Sequence, residues 1–153
     1  MQRQHQDSGS EDGFTLIEIL VVVAIIGLLM TYLATNLIGQ GNKAKLDLAR
    51  VQLTKLEQTL ELYKLDNGRY PTNEQGLSAL VAAPTTEPVP RRYPSKGYVK
   101  RADLLDPWGG AYQYAAPGSR NASSFDLFSF GPDQVQGGEG ENADIGNWDT
   151  QSG

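Results

Sequence analysis

Residues 13–37 read GFTLIEILVVVAIIGLLMTYLATNL, and this stretch decides how the 153-residue chain is built. Within it, Ile19–Leu33 (ILVVVAIIGLLMTYL) is nearly all apolar, and no charged residue appears between Glu18 and Lys43. From Phe14 to Leu37 an α-helix would rise roughly 36 Å at 1.5 Å per residue, enough to cross a hydrocarbon core of about 30 Å. A buried helix of a water-soluble domain rarely runs that far without a polar face, so the segment reads as a membrane helix. A cleaved secretory signal fits less well, because such signals have a basic n-region and an apolar core of about 7–15 residues. Here the preceding residues set only Arg3 against Asp7, Glu11 and Asp12.

Glu18 is the one carboxylate inside the apolar block. An ionised side chain near the membrane interior costs up to about 2.5–3.5 kcal/mol, less near the interface. Either Glu18 sits at headgroup depth, or it pairs with a positive charge. No lysine or arginine lies between Arg3 and Lys43. A pairing charge therefore comes from another chain, from lipid, or from a new α-amino group made by proteolysis just upstream.

Composition removes most enzymatic readings. The apolar fraction of 39% and charged fraction of 20% suit one globular domain of ordinary size. There is no cysteine, which excludes a disulfide framework, a thiolate zinc site and a cysteine nucleophile. The only histidine, His5, lies in the polar stretch before the apolar block, away from residues able to form a pocket. No G-x-x-x-x-G-K-[ST] loop is present for nucleoside triphosphate. A net charge of −5 argues against a broad attraction to nucleic acid.

Beyond the membrane segment, Leu46, Ala49, Leu53, Leu56, Leu60 and Tyr63 recur at alternating steps of three and four, one buried stripe of an amphipathic helix. Asn67-Gly68 followed by Pro71 marks its end. Gly39 and Gly41 are the only breakers between the two patterns, so one long helix is expected, loosened around Gly39–Asn42. After it, Thr72 is expected to cap a short helix through about Val81. The four prolines of residues 82–94 exclude regular helix or central strand there. Gly97–Val99 reads as a short extended piece, Asp106–Gly110 as a turn, and residues 111–115 and 125–130 as strands joined by a loop over Pro117–Ser124. The fold class is α+β: a long N-terminal helix packed on a small antiparallel sheet of two or three strands. Trp108 and the tyrosines read as packing residues.

After Arg120 there is no lysine or arginine, but six carboxylates follow: Asp126, Asp133, Glu139, Glu141, Asp144 and Asp149. Calcium takes six to eight oxygen ligands, backbone carbonyls included, and the glycine-rich run from Gly131 to Asp144 could supply them. The spacing is not that of an EF-hand, and from composition alone a solvated acidic loop is the better reading.

The hexapeptide GFTLIE at Gly13–Glu18, with the apolar run behind it, resembles the class III signal of type IV pilins and pseudopilins. That resemblance implies a leader over residues 1–13, cleavage between Gly13 and Phe14 by a prepilin peptidase, and N-methylation of Phe14. It also implies a role for Glu18 in assembly, where it meets the amino terminus of a neighbouring subunit. The leader is less basic than is usual in that family, so orientation rests mainly on the motif. RYPTNEQGL at 69–77, DPWG at 106–109, FDLFSFGPD at 125–133 and ADIGNW at 143–148 are similar to the major pseudopilins of type II secretion systems.

The resemblance implies a membrane helix over 14–37 and a periplasmic head over 38–153, in a single-pass protein of the bacterial inner membrane. It implies a Ca2+ site with Asp133 and Asp144 as side-chain ligands and Phe130 as a backbone-carbonyl ligand. Gln134 departs from the glycine frequent after GPD. The expected function is structural and not enzymatic: the main subunit of a helical pseudopilus that helps push folded proteins across the outer membrane. The expected partners are further copies of the chain, the prepilin peptidase, minor pseudopilins, an inner-membrane platform, an assembly ATPase and inner-membrane lipid, with no nucleic acid. A type IV pilin or DNA-uptake pseudopilin, or a monomeric membrane-tethered calcium-binding module, are the alternatives.

Overall fold

A computed structural model describes residues 14–148, with the side chains of 34–40 left aside. The chain divides between residues 40 and 41 into two compact units. One helix, α1 (Leu16–Asn67), contributes to both. It opens on Thr15, whose Oγ1 accepts from the Glu18 backbone N–H at 3.3 Å. That bond satisfies one of the donors a helix start leaves free. In the first unit, Leu16–Leu33 has a mean hydropathy of 2.6 and no buried residue, and by length and composition it can cross a membrane. The looser stretch expected around Gly39–Asn42 is not seen; the backbone is helical throughout.

In the second unit α1 buries the stripe that its spacing dictates. Ala49, Leu53, Leu56, Leu60 and Tyr63 are each 2% exposed or less, with Leu46 packed beside them. Full burial of one such leucine contributes roughly 1.5–3 kcal/mol. α1 stops at Asn67, where Gly68 takes φ +77° and donates its N–H to the Lys64 carbonyl. A residue with a Cβ is strained in that conformation.

The helix expected from Thr72 to Val81 is replaced by a turn and a single 3-10 turn, Leu77–Leu80. Its start is as anticipated: Gln75 N donates to Thr72 Oγ1 and Thr72 N donates to Gln75 Oε1, both at 3.2 Å. Gly76, at φ +55° and ψ −163°, then turns the chain out of the helical path. Gln75 is buried, and its Nε2 donates to the Thr86 and Pro88 carbonyls, fastening the proline-rich segment. No strand forms at Gly97–Val99. The N–H groups of Tyr98 and Val99 both donate to the Leu80 carbonyl instead.

The sheet has three antiparallel strands in the order β1 (Gln113–Ala115), β2 (Asp126–Ser129) and β3 (Ile145–Gly146). Tyr114 faces Leu127 across the first pair and Ile145 faces Ser129 across the second. Leu127, Phe125, Ile145 and Tyr112 share one core with the α1 stripe and with Leu77, Leu80 and Val99. Beyond the two residues of β3, Asn147 carries on the pairing. Its N–H donates to the Leu127 carbonyl, its Oδ1 accepts from the Leu127 N–H, and its Nδ2 donates to the Phe125 carbonyl. The β1–β2 loop is gathered on Asp126, whose carboxylate accepts from the N–H groups of Ser119, Arg120 and Asn121 and from the Ser119 hydroxyl.

Candidate functional site

Two places carry the residues singled out by sequence. The first is the start of α1. Gly13 lies outside the described residues; Phe14 is 80% exposed and Glu18 is exposed. Thr15 and Glu18 stand at the cap and third positions of the helix, the spacing of a capping box. The helix start has a partial positive charge, so a carboxylate in its first turn is favoured by roughly 0.3–1 kcal/mol. Glu18 thus has a reason to lie there within its own chain, a signal (Thr-x-x-Glu) that was readable in the sequence.

The second is the loop between β2 and β3. Asp133 is exposed, and its Oδ1 accepts from the Val135 N–H at 3.1 Å. Asp144 Oδ2 accepts from the Gly137 N–H at 3.0 Å, while its Oδ1 is buried with no hydrogen-bond partner. Arg120, Gly137, Gly138, Ala143, Asp144 and Trp148 line a cavity of about 270 Å³. The Arg120 guanidinium lies 3.9 Å from the centre of a Trp148 ring. Asp133 does not line this cavity. Phe130 sets its ring against Phe128 with centroids 5.5 Å apart. Among the described residues no three histidine or acidic side chains converge on one point, so any cation here takes much of its coordination from backbone oxygens. The donor set is all oxygen, and the unsatisfied Asp144 Oδ1 is an acceptor whose burial is costly unless water or a cation meets it. Asp144 and the backbone oxygens of this loop fit a hard cation, whereas Asp133 is not brought to the same cavity, which Arg120 also lines.

Two further carboxylates are buried and serve the fold. Burial works to raise the Asp126 carboxyl, but the donors from Arg120, Asn121 and Ser119 outweigh it and hold the group below the ordinary carboxylate value. Asp126 belongs to the same acidic third of the chain as Asp133, and its four donors make it an organiser of the hairpin. Asp106, at the head of DPWG, is 5% exposed. Its Oδ1 accepts from the N–H groups of Trp108 and Gly110, and its Oδ2 from the Ser129 hydroxyl at 2.6 Å. The turn signal in DPWG located Asp106, whereas nothing in the sequence marks Ser129 as its partner or Asn147 as a buried polar residue of the sheet.

An apolar helix with a Thr15–Glu18 start, a helix stripe under a three-stranded sheet and an acidic C-terminal loop together define a membrane-anchored subunit of the pilin type. Residues 9–34 match the prokaryotic N-terminal methylation motif. Residues 36–148 match type II secretion system protein G, and the chain belongs to that family. It is 48% identical to the type II secretion system core protein G of Vibrio cholerae over 141 residues, 92% of this chain and 94% of the relative. Against that of Pseudomonas aeruginosa it is 44% identical over 150 residues, 98% of this chain and all of the relative. The crystal structure of the major pseudopilin from the type 2 secretion system of enterohaemorrhagic Escherichia coli matches with a TM-score of 0.65 and 47% identity, over 76% of this chain and 92% of the other.

Proposed function

We propose that this chain is the structural major subunit of a type II secretion pseudopilus, which polymerises to drive export of folded proteins across the outer membrane. The match to protein G over residues 36–148, continuous with an apolar helix behind the methylation motif, carries this reading. The subunit waits in the inner membrane with residues 14–37 as its anchor and with the head, residues 38–153, in the periplasm. Glu18 admits it to the filament by pairing with the amino terminus of the next copy. The chain itself catalyses nothing; the assembly ATPase supplies the energy through the inner-membrane platform, and minor pseudopilins join the same fibre. Deleting the gene should abolish secretion and its overexpression should yield surface filaments of this chain. Filaments that form while secretion proceeds unchanged in the deletion strain would favour an adhesive pilin.

A prepilin peptidase cuts between Gly13 and Phe14 and the new terminus is methylated. Intact-mass measurement of membrane-extracted protein is expected to show a chain beginning at methylated Phe14, and a bulky substitution at Gly13 should leave it uncut. A mature chain starting elsewhere overturns the assignment.

Asp133 and Asp144, with backbone carbonyls that include Phe130, hold Ca2+. The ion offsets their mutual repulsion and ties the loop where no disulfide exists. A ligand that binds only the folded state stabilises it by about 2.7 kcal/mol at a hundredfold excess over Kd. Chelation is therefore expected to lower the melting temperature of the protein, and Asp133→Ala or Asp144→Ala to remove the calcium dependence. Superimposable melts of the unmutated chain with and without chelator would return the loop to a solvated acidic one.

A further inference from the structure

Gln134 is the one described residue other than glycine with a positive φ, +56°. That conformation crowds a Cβ against its own backbone, so surrounding contacts have to hold it. The contacts come from its side chain. Gln134 Nε2 donates to Asp106 Oδ2 at 3.2 Å and to the Gly131 carbonyl. The circuit then closes: the Gly131 N–H donates to Ser129 Oγ at 3.0 Å, and that hydroxyl donates to the same Asp106 Oδ2. Asp106 and Ser129 are both buried, which strengthens bonds made to a carboxylate. The Gln134 amide also lies across Gly110, where a Cβ would overlap it. A glutamine with this reach thus joins the GPD turn to the DPWG turn.

We infer that Gln134 is a positioning residue: it clasps the first half of the loop, and with it Asp133, to the DPWG turn without help from any cation. Among the described residues no side chain bonds the second half, from Gly137 to Asp144, to the sheet: its one side-chain bond, from the Gly137 N–H to Asp144 Oδ2, is internal, and it ends on the carboxylate oxygen that lacks a donor. The loop is therefore held in two parts by two means. This rests on the calcium reading in one respect only, that the second half is the part that responds to the ion.

The test is hydrogen exchange followed by mass spectrometry on the processed full-length chain in detergent micelles, in calcium and in excess chelator. In chelator, the wild type should keep slow exchange over residues 131–135 while residues 137–144 speed up. Gln134→Ala should raise exchange over 131–135 by about tenfold, the equivalent of one bond to a charged group. The half-saturating calcium concentration should rise by a similar factor, because Asp133 is no longer placed in advance. Gln134→Gly relieves the backbone but cannot make the bonds, so it should be loosened as well. Wild-type protection in Gln134→Gly means that the turn holds itself, and the clasp is wrong. Unchanged exchange and calcium affinity in Gln134→Ala overturns it equally. If chelator leaves residues 137–144 of the wild type unaffected, the calcium reading fails, while the comparison of variants over 131–135 still decides the clasp.

Discussion

A chain carrying Glu18→Ala is expected to be inserted, cut and folded like the wild type, and to build no filaments. The substitution removes a first-turn carboxylate worth about 0.3–1 kcal/mol to the helix start, too little to unfold a helix fixed by a buried stripe at its other end. Under the proposed pairing of Glu18 with the amino terminus of the next copy, the loss in the filament is larger. Leaving one member of a buried charge pair without its partner costs about 3–5 kcal/mol, and the cost recurs with every subunit added. Electron microscopy of sheared fibres, set against immunoblots of the membrane-held pool, measures both quantities. Glu18→Asp keeps the charge on a shorter arm and should restore part of the assembly. Abundant filaments from a normally cut Glu18→Ala chain would overturn the pairing.

The second large effect is expected at Asp126. Asp126→Ala removes the acceptor for four donors of the hairpin loop. Stranding donors at a buried carboxylate costs about 1–3 kcal/mol each, partly recovered through water, so a loss of about 3 kcal/mol is expected. For a head of this size the melting temperature should fall by about 10 °C. Because the folded carboxyl is held below its ordinary value, its contribution is complete above the unfolded pKa of about 3.9 and is lost as pH falls through the folded value. Asp103, held low mainly by the Lys100 N–H, behaves in the same sense. Acid melts of Asp126→Asn should therefore lose part, and not all, of the wild-type acid sensitivity. A variant as stable as the wild type at neutral pH would show that the loop does not depend on this carboxylate.

The long helix and its buried face were legible because a three-four spacing of Leu46 to Tyr63 has only one helical solution. The strands at Gln113–Ala115 and Asp126–Ser129 were legible from alternating aromatics and the turns around them. Other features were not. The helix from Thr72 fails after its cap because Gly76 leaves the helical region, and a cap signal does not report where a helix ends. Ile145–Gly146 is too short to show a period, and its strand character comes from pairing with Phe128 and Ser129 across the sheet. Asp133 and Asp144 were legible as an acidic loop, but the roles of Asp106, Ser129 and Gln134 depend on contacts between segments more than twenty residues apart.

The late position of β3 also bears on the order of events during synthesis. β2 runs through the middle of the sheet, yet its outer neighbour is Ile145–Gly146, and Asn147 supplies the remaining bonds to Leu127 and Phe125. These residues follow β2 in the chain and are synthesised after it. Until they arrive, β2 has an open edge, the kind of surface that pairs with other chains or is taken by proteases. A chain cut short before residue 145 cannot cover this edge of β2. Closure of the sheet thus depends on a segment made after β2: a peptide inserted between Gly131 and Asp144 leaves β3 and Asn147 intact, whereas one inserted between Ile145 and Asn147 interrupts the pairing and leaves the edge of β2 open.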